Sequence, residues 1–173
     1  MEELKKISIR GRMAYILCMF EQLLLYYKCK KKDWCWIMKQ LWKFTSIEYI
    51  DDWVYEVAEI LPNSILYDGT EDLEYITVNQ FYELKKIYIN NPEDINKMMM
   101  LIFELGTMEI YTTIMGYSSG TILKLNEAER ILKKNGIKPI GITDFDKYHF
   151  DEEGGWGIRF EGDLLSEFIK NIA

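Results

Sequence analysis

The sequence predicts a mainly α fold, a single-domain helical bundle of about six or seven helices. Three observations predict it. Apolar residues recur at spacings of three and four over most of the chain. Helix start and stop residues punctuate those stretches. The three prolines, Pro62, Pro92 and Pro139, fall only where an element should begin or end. A length of 173 residues with 49% hydrophobic and 28% charged residues suits one domain with a sizeable core and excludes a disordered chain.

In order, Ser8 serves as N-cap of a long helix over residues 8–29, whose stripe of Met13, Ile16, Leu17, Phe20, Leu24 and Tyr27 is widened by Ala14, Cys18 and Leu25. That width predicts a central helix, buried on most sides. A second helix over 33–44 carries Trp34, Ile37, Met38, Leu41 and Trp42. A third over 46–61 carries Ile50, Trp53, Val54, Val57, Ile60 and Leu61 and is stopped by Pro62. Residues 62–76 read as a loop, with Asp68-Gly69 as a turn signal. The run Thr77-Val78-Asn79-Gln80 fits a capping box opening a helix to Ile89. Asn91-Pro92-Glu93-Asp94 starts another, which continues toward Thr113. After a loop at 116–120, a helix over 121–135 ends at Gly136, and Asp163 caps a last helix with Leu165, Phe168, Ile169 and Ile172. Alternation of Tyr148 and Phe150, then of Trp156, Ile158 and Phe160, around Asp151 to Gly155 fits a small β-hairpin near 147–160 or an irregular loop pinned by aromatics.

Composition narrows the function classes. A formal charge of -7 disfavours general nucleic-acid binding, which needs clustered cations. Cys18, Cys29 and Cys35 form neither a disulfide framework nor a metal-ligand spacing. The N-terminal residues lack an apolar signal region, and no apolar run reaches membrane-spanning length, so a cytoplasmic protein without membrane contact is expected. P-loop, dinucleotide, nucleophile-elbow and zincin motifs are missing, and His149 is the single histidine, flanked by aromatics and expected to be packed rather than catalytic. Asp144-x-Asp146 invites an EF-hand, but His149 stands where the loop needs Gly and Gly155 where it needs Glu. No catalytic residue, metal or cofactor is expected. Glu21, on the long central helix, is expected to pair with Arg10, Arg12 or another basic side chain.

Charge is distributed unevenly. Residues 1–45 hold ten Lys and Arg against four Asp and Glu, and residues 46–173 hold eleven against twenty-four. Glu48, Asp52, Glu56 and Glu59 share one face of the expected third helix with Tyr55 alongside, although like charges at that spacing destabilise a helix. A loop set, Asp144, Asp146, Asp151, Glu152 and Glu153, concentrates acid again. These ten residues are the candidate partner-binding positions, since acidic surfaces steer a cationic partner.

Ser8-Ile9-Arg10-Gly11-Arg12-Met13-Ala14-Tyr15, Glu21, Leu41-Trp42, Asp52-Trp53, Leu61-Pro62, Gly155-Trp156-Gly157, Phe160-x-Gly162 and Leu165-Ser166 resemble bacterial polymorphic-toxin immunity proteins of the contact-dependent-inhibition type. The likeness covers both ends of the chain and leaves roughly 63–140 unmatched. It implies a non-enzymatic antidote that binds and neutralises a cognate toxin domain, a basic nuclease above all, without touching nucleic acid itself. It also implies that Arg10, Arg12 and Trp156 are framework residues. Two alternatives stand beside it: a motif-poor metal-dependent enzyme using the 144–153 carboxylates, and a helical adaptor for another host protein. Oligomeric state is left open.

Overall fold

The computed structural model describes residues 2–170. Among them the chain runs through α1 (Glu2–Lys6), α2 (Ile9–Tyr26), α3 (Lys31–Trp42), α4 (Ile50–Ala58), α5 (Pro62–Tyr67), α6 (Val78–Tyr88), α7 (Glu93–Thr107) and α8 (Ser119–Lys134). Short 3-10 turns follow at Lys43–Thr45, Ile142–Phe145, Glu153–Gly155 and Gly162–Leu165. The expected all-α architecture is present.

Ser8 starts α2 as expected: its backbone is extended and its hydroxyl accepts from the Gly11 N–H at 3.2 Å. Nearly every residue of α2 as far as Leu24 is buried. α7 and α8 lie against each other and against α2, while α3 and α4 close the remaining side. Trp34, Trp42 and Trp53 are buried, as their helical stripes predict. Gly106 on α7 admits the Trp53 ring, since a Cβ there would sit 2.6 Å from it. The capping box at Thr77 and Gln80 is formed in both directions.

A helix buried all round must satisfy its polar groups internally. Arg12, fully buried, donates from Nε and Nη2 to the Leu4 carbonyl at 3.1 and 2.8 Å. Its Nη1 donates to the carbonyls of Tyr117 and Ser118 and to Thr121 Oγ1, at 2.8, 3.1 and 2.7 Å. Arg10 donates to the carbonyls of Phe44 and Ile47. Burial lowers the pKa of both guanidinium groups to about 10. Glu21 pairs with neither arginine. It accepts instead from Trp42 Nε1 at 3.1 Å, the Ser166 hydroxyl at 2.5 Å and the Glu167 N–H at 2.7 Å. Burial raises its pKa above the ordinary carboxylate value, against those three hydrogen bonds.

Several boundaries differ from the sequence expectation. α1 was not expected, and Pro62 opens α5 inside the expected 62–76 loop. No hairpin forms at 147–160. The Ser8 N–H donates to the Tyr148 carbonyl at 2.8 Å, Phe150 N–H to the Lys6 carbonyl at 2.8 Å, and Arg10 N–H to the Trp156 carbonyl at 3.0 Å. The two aromatic runs therefore spend these backbone groups on the end of α1 and the start of α2, leaving one isolated bridge between Ile7 and His149. The His149 side chain is exposed, not packed. Residues 162–170 form a 3-10 turn and a further hydrogen-bonded turn instead of the expected α-helix; Ile172 lies outside the described residues. Among the described residues no helix is long and apolar enough to cross a membrane.

Two substitutions measure these polar ties. Arg12→Lys strands carbonyl acceptors that the guanidinium fork alone reaches, and should cost about 2–4 kcal/mol, read as a lower urea midpoint at unchanged slope. Glu21→Gln keeps the shape but sets an amide N–H against donors. It should cost about 1–3 kcal/mol and speed tryptic cleavage after Arg159, which lies in the segment that Glu21 tethers.

An acidic tyrosine face and the cleft beside it

α4 begins with two acids, Asp51 and Asp52, both exposed, and no cation among the described residues pairs with either. One turn on, Tyr55 is also exposed and its ring lies parallel to that of Tyr75, with centroids 6.4 Å apart and planes 7° apart. Tyr111, beyond the end of α7, is 80% exposed. The charge of Asp51, then the neighbouring Tyr55, raises the Tyr111 phenol pKa. Partial burial raises that of Tyr75, and Glu74, Tyr55, Asp52 and Glu59 add to it. Three segments distant in sequence thus meet as one face of two carboxylates and three phenols.

Glu59 holds this face together. Its carboxylate accepts the N–H groups of Glu74, Tyr75 and Ile76 at 2.7, 2.9 and 3.1 Å. That cradle fixes the loop that carries Tyr75 beside α4.

Next to the face lies a cleft of about 720 Å³. Its walls include Glu48, Tyr49, Asp51, Glu153, Trp156 and Arg159, with Arg10 among the lining residues. Arg159 reaches Glu48 at 3.4 Å. Glu153 enters in the left-handed backbone region at φ 45°, an uncommon conformation for a residue with a side chain.

The ten positions named from sequence are divided by the structure. Glu48, Asp52 and Tyr55 lie on or beside the exposed face, and Glu153 joins Glu48 in the cleft. Glu56 is half-buried and bound to Lys43 at 2.7 Å, so its charge is answered within the chain. Glu59 is occupied by the backbone cradle. Glu48 and Glu59 also fall outside α4, whose limits are Ile50 and Ala58, so the expected four-acid helical row is not one row. Asp144, Asp146 and Asp151 are exposed, and Glu152 is half-buried. The Glu152 carbonyl accepts from Gly155 and Gly157 at 3.0 and 3.1 Å. Burial pushes the pKa of the half-buried Cys18 thiol up to about 12, and Glu21 and, more weakly, Asp144 add to it. Among the described residues no three His, Cys, Asp or Glu side chains converge to hold a metal ion. The carboxylates of 144–153 are therefore spread along the loop and do not gather around a point.

Sequence reasoning missed Asp51, Tyr49, Tyr75 and Tyr111. Asp51 and Tyr49 carry a local signal, since they flank the acids already singled out. Tyr75 and Tyr111 carry none, because only the folded chain brings their loops to α4.

Compared with family models, with curated proteins and with solved structures, the chain matches none.

The face has a signature measurable without a partner. Asp51→Asn should lower the Tyr111 pKa toward that of a free phenol, read by NMR titration of ring-labelled tyrosine, and leave that of Tyr88 unmoved. The Tyr88 hydroxyl is buried and donates to the Ile60 carbonyl at 2.7 Å.

Proposed function

We propose that this chain is an immunity protein that binds a cognate bacterial toxin domain and neutralises it by direct association. One observation carries the reading: Tyr55, Tyr75 and Tyr111 are exposed together around Asp51 and Asp52, which have no intramolecular cation among the described residues. Tyrosine gives large, stiff contact area and dominates many interface hot spots. A carboxylate beside an aromatic ring favours the lysine or arginine of a basic partner through charge and through the ring face. The resemblance at both ends of the chain points the same way. A basic nuclease domain is the partner that this chemistry fits best, since it presents the cations that normally hold phosphate. The adaptor alternative predicts the same face occupied by a host protein.

The test is binding to the toxin domain encoded beside this chain, with protection of cells expressing that toxin as the second readout. Asp51→Lys with Asp52→Lys should slow association and flatten its salt dependence. Tyr55→Ala and Tyr111→Ala should act mainly on dissociation, each by about 2 kcal/mol or roughly thirtyfold if central to the interface. Full protection and unchanged kinetics from all of these variants would remove the face from the interface. The absence of any neighbouring toxin gene would count against the immunity reading itself and favour the adaptor.

A further inference from the structure

The acidic face has an electrostatic opposite on the same chain. Between the first half of α3 and α6 runs a groove of about 740 Å³, within the roughly 300–1,000 Å³ range of clefts that take a ligand-sized group. Its rim carries Lys30, Lys32 and Lys86, all exposed, and none of them is ion-paired among the described residues. Lys28 and Lys39 extend the positive region along the turn and the outer side of α3. The groove also offers half-buried Trp36 and Ile87, an apolar lining for an aromatic ring. No residue of the groove belongs to the acidic tyrosine face.

We infer that this groove receives the acidic tyrosine face of a second copy of the chain. The two surfaces complement each other in sign and in kind: unpaired lysines over an apolar floor, against unpaired aspartates among exposed phenols. A lysine rim alone would also suit nucleic acid, but Asp33 and Glu83 line the same groove and would repel a phosphate backbone. An interrupted set of acids bordered by tyrosines has no such continuous charge, and its rings have the Trp36 lining to pack on. Because the contact joins two different patches, it is heterologous and propagates from copy to copy unless a ring closes. The inference rests on the same face as the toxin reading. It adds a regulation: self-association covers the face, so the copy that binds a toxin must first leave its neighbour.

The experiment is sedimentation equilibrium at neutral pH. At about 0.01 M salt, where the Debye length is about 30 Å, the weight-average mass should climb above 20.6 kDa with concentration. At about 1 M salt, where that length is about 3 Å, it should return to one chain. A groove variant, Lys30→Glu with Lys32→Glu and Lys86→Glu, should stay at one chain throughout, and so should the face variant Asp51→Lys with Asp52→Lys. Mixed together, the two should associate again, because an acidic groove meets a basic face and a basic groove meets an acidic one. Both variants remain net acidic, so overall charge does not draw them together. All substituted positions are exposed, and circular dichroism checks that each variant folds. Wild type at one mass under every condition would overturn the inference, as would association that ignores either variant or a mixture that stays monomeric. Groove variants that bind toxin normally while failing to self-associate separate the two readings. Face variants that self-associate but lose toxin count against this inference alone.

Discussion

Arg12 is the constraint around which the N-terminal half and the middle of the chain are arranged. It sits on a helix with no solvent-facing side at that level, so its donors require acceptors from other segments. α1 supplies one through Leu4, the first turn of α8 supplies one through Thr121, and the turn before α8 supplies two through Tyr117 and Ser118. Ser118 takes a left-handed backbone at φ 52° in that turn, a cost of order 1–3 kcal/mol that persists only where surroundings fix it. Phe150 closes the opposite side with its ring 4.9 Å from the guanidinium. Among the described residues this charge has no ion-paired carboxylate. It is held by carbonyl dipoles, which stabilise a cation without adding a second buried ion to desolvate.

The C-terminal segment solves a related problem. The first N–H groups of a helix have no partner within it. At the start of α2 the Arg10 N–H is taken by the Trp156 carbonyl, and the Ser8 N–H just before the helix by that of Tyr148. Further along, Thr45 accepts from Gly162 and Phe160, and Glu21 accepts from Ser166 and Glu167. The strap is therefore laced to α2 and its neighbours by polar pins. Gly157 sits so close to Ser8 that a Cβ there would lie far inside van der Waals contact with its Oγ, and its φ of 82° suits glycine. This lacing brings Glu153 to the cleft edge opposite Glu48.

The periodic helices were legible because their information is local. Ser8, the Thr77–Gln80 box and the tryptophan stripes each act within one or two turns, and all stand where expected. The departures share a cause, which is that a residue type serves two roles. Pro62, expected as a stop, instead begins α5 four residues after α4 has ended at Ala58, since proline suits a first helical position as well as a stop. The alternation at 148–160 is real: Tyr148 and Phe160 stack with centroids 4.0 Å apart, as cross-strand neighbours would. Their backbones, however, pair elsewhere, and sequence alternation does not name the partner. At the last segment Ser166, not Asp163, organises the turn, its hydroxyl accepting from Phe168 and Ile169 at 3.2 and 3.1 Å. The acids around α4 were legible as charge but not as roles, because the fold alone assigns Glu56 to Lys43 and Glu59 to a backbone cradle.

Acid density by itself says little about docking on α4. Asp51 and Asp52 occupy the first turn, where the helix dipole stabilises a negative charge by about 0.3–1 kcal/mol. A purely structural account of those two residues is therefore complete without a partner. The helix dipole offers no such account of the tyrosines. Tyr55, Tyr75 and Tyr111 leave much of their ring area in water, and burying apolar area is worth about 25 cal/mol per Å². Glu59 spends a carboxylate on three N–H groups, which seats the buried Ile76 and at the same time holds Tyr75 against Tyr55. Aromatic area held rigid before binding loses little entropy on association, which is where preorganisation adds affinity. In the proposed complex the carboxylates would set how fast a cation arrives, and the rings of Tyr55 and Tyr75 how long it stays.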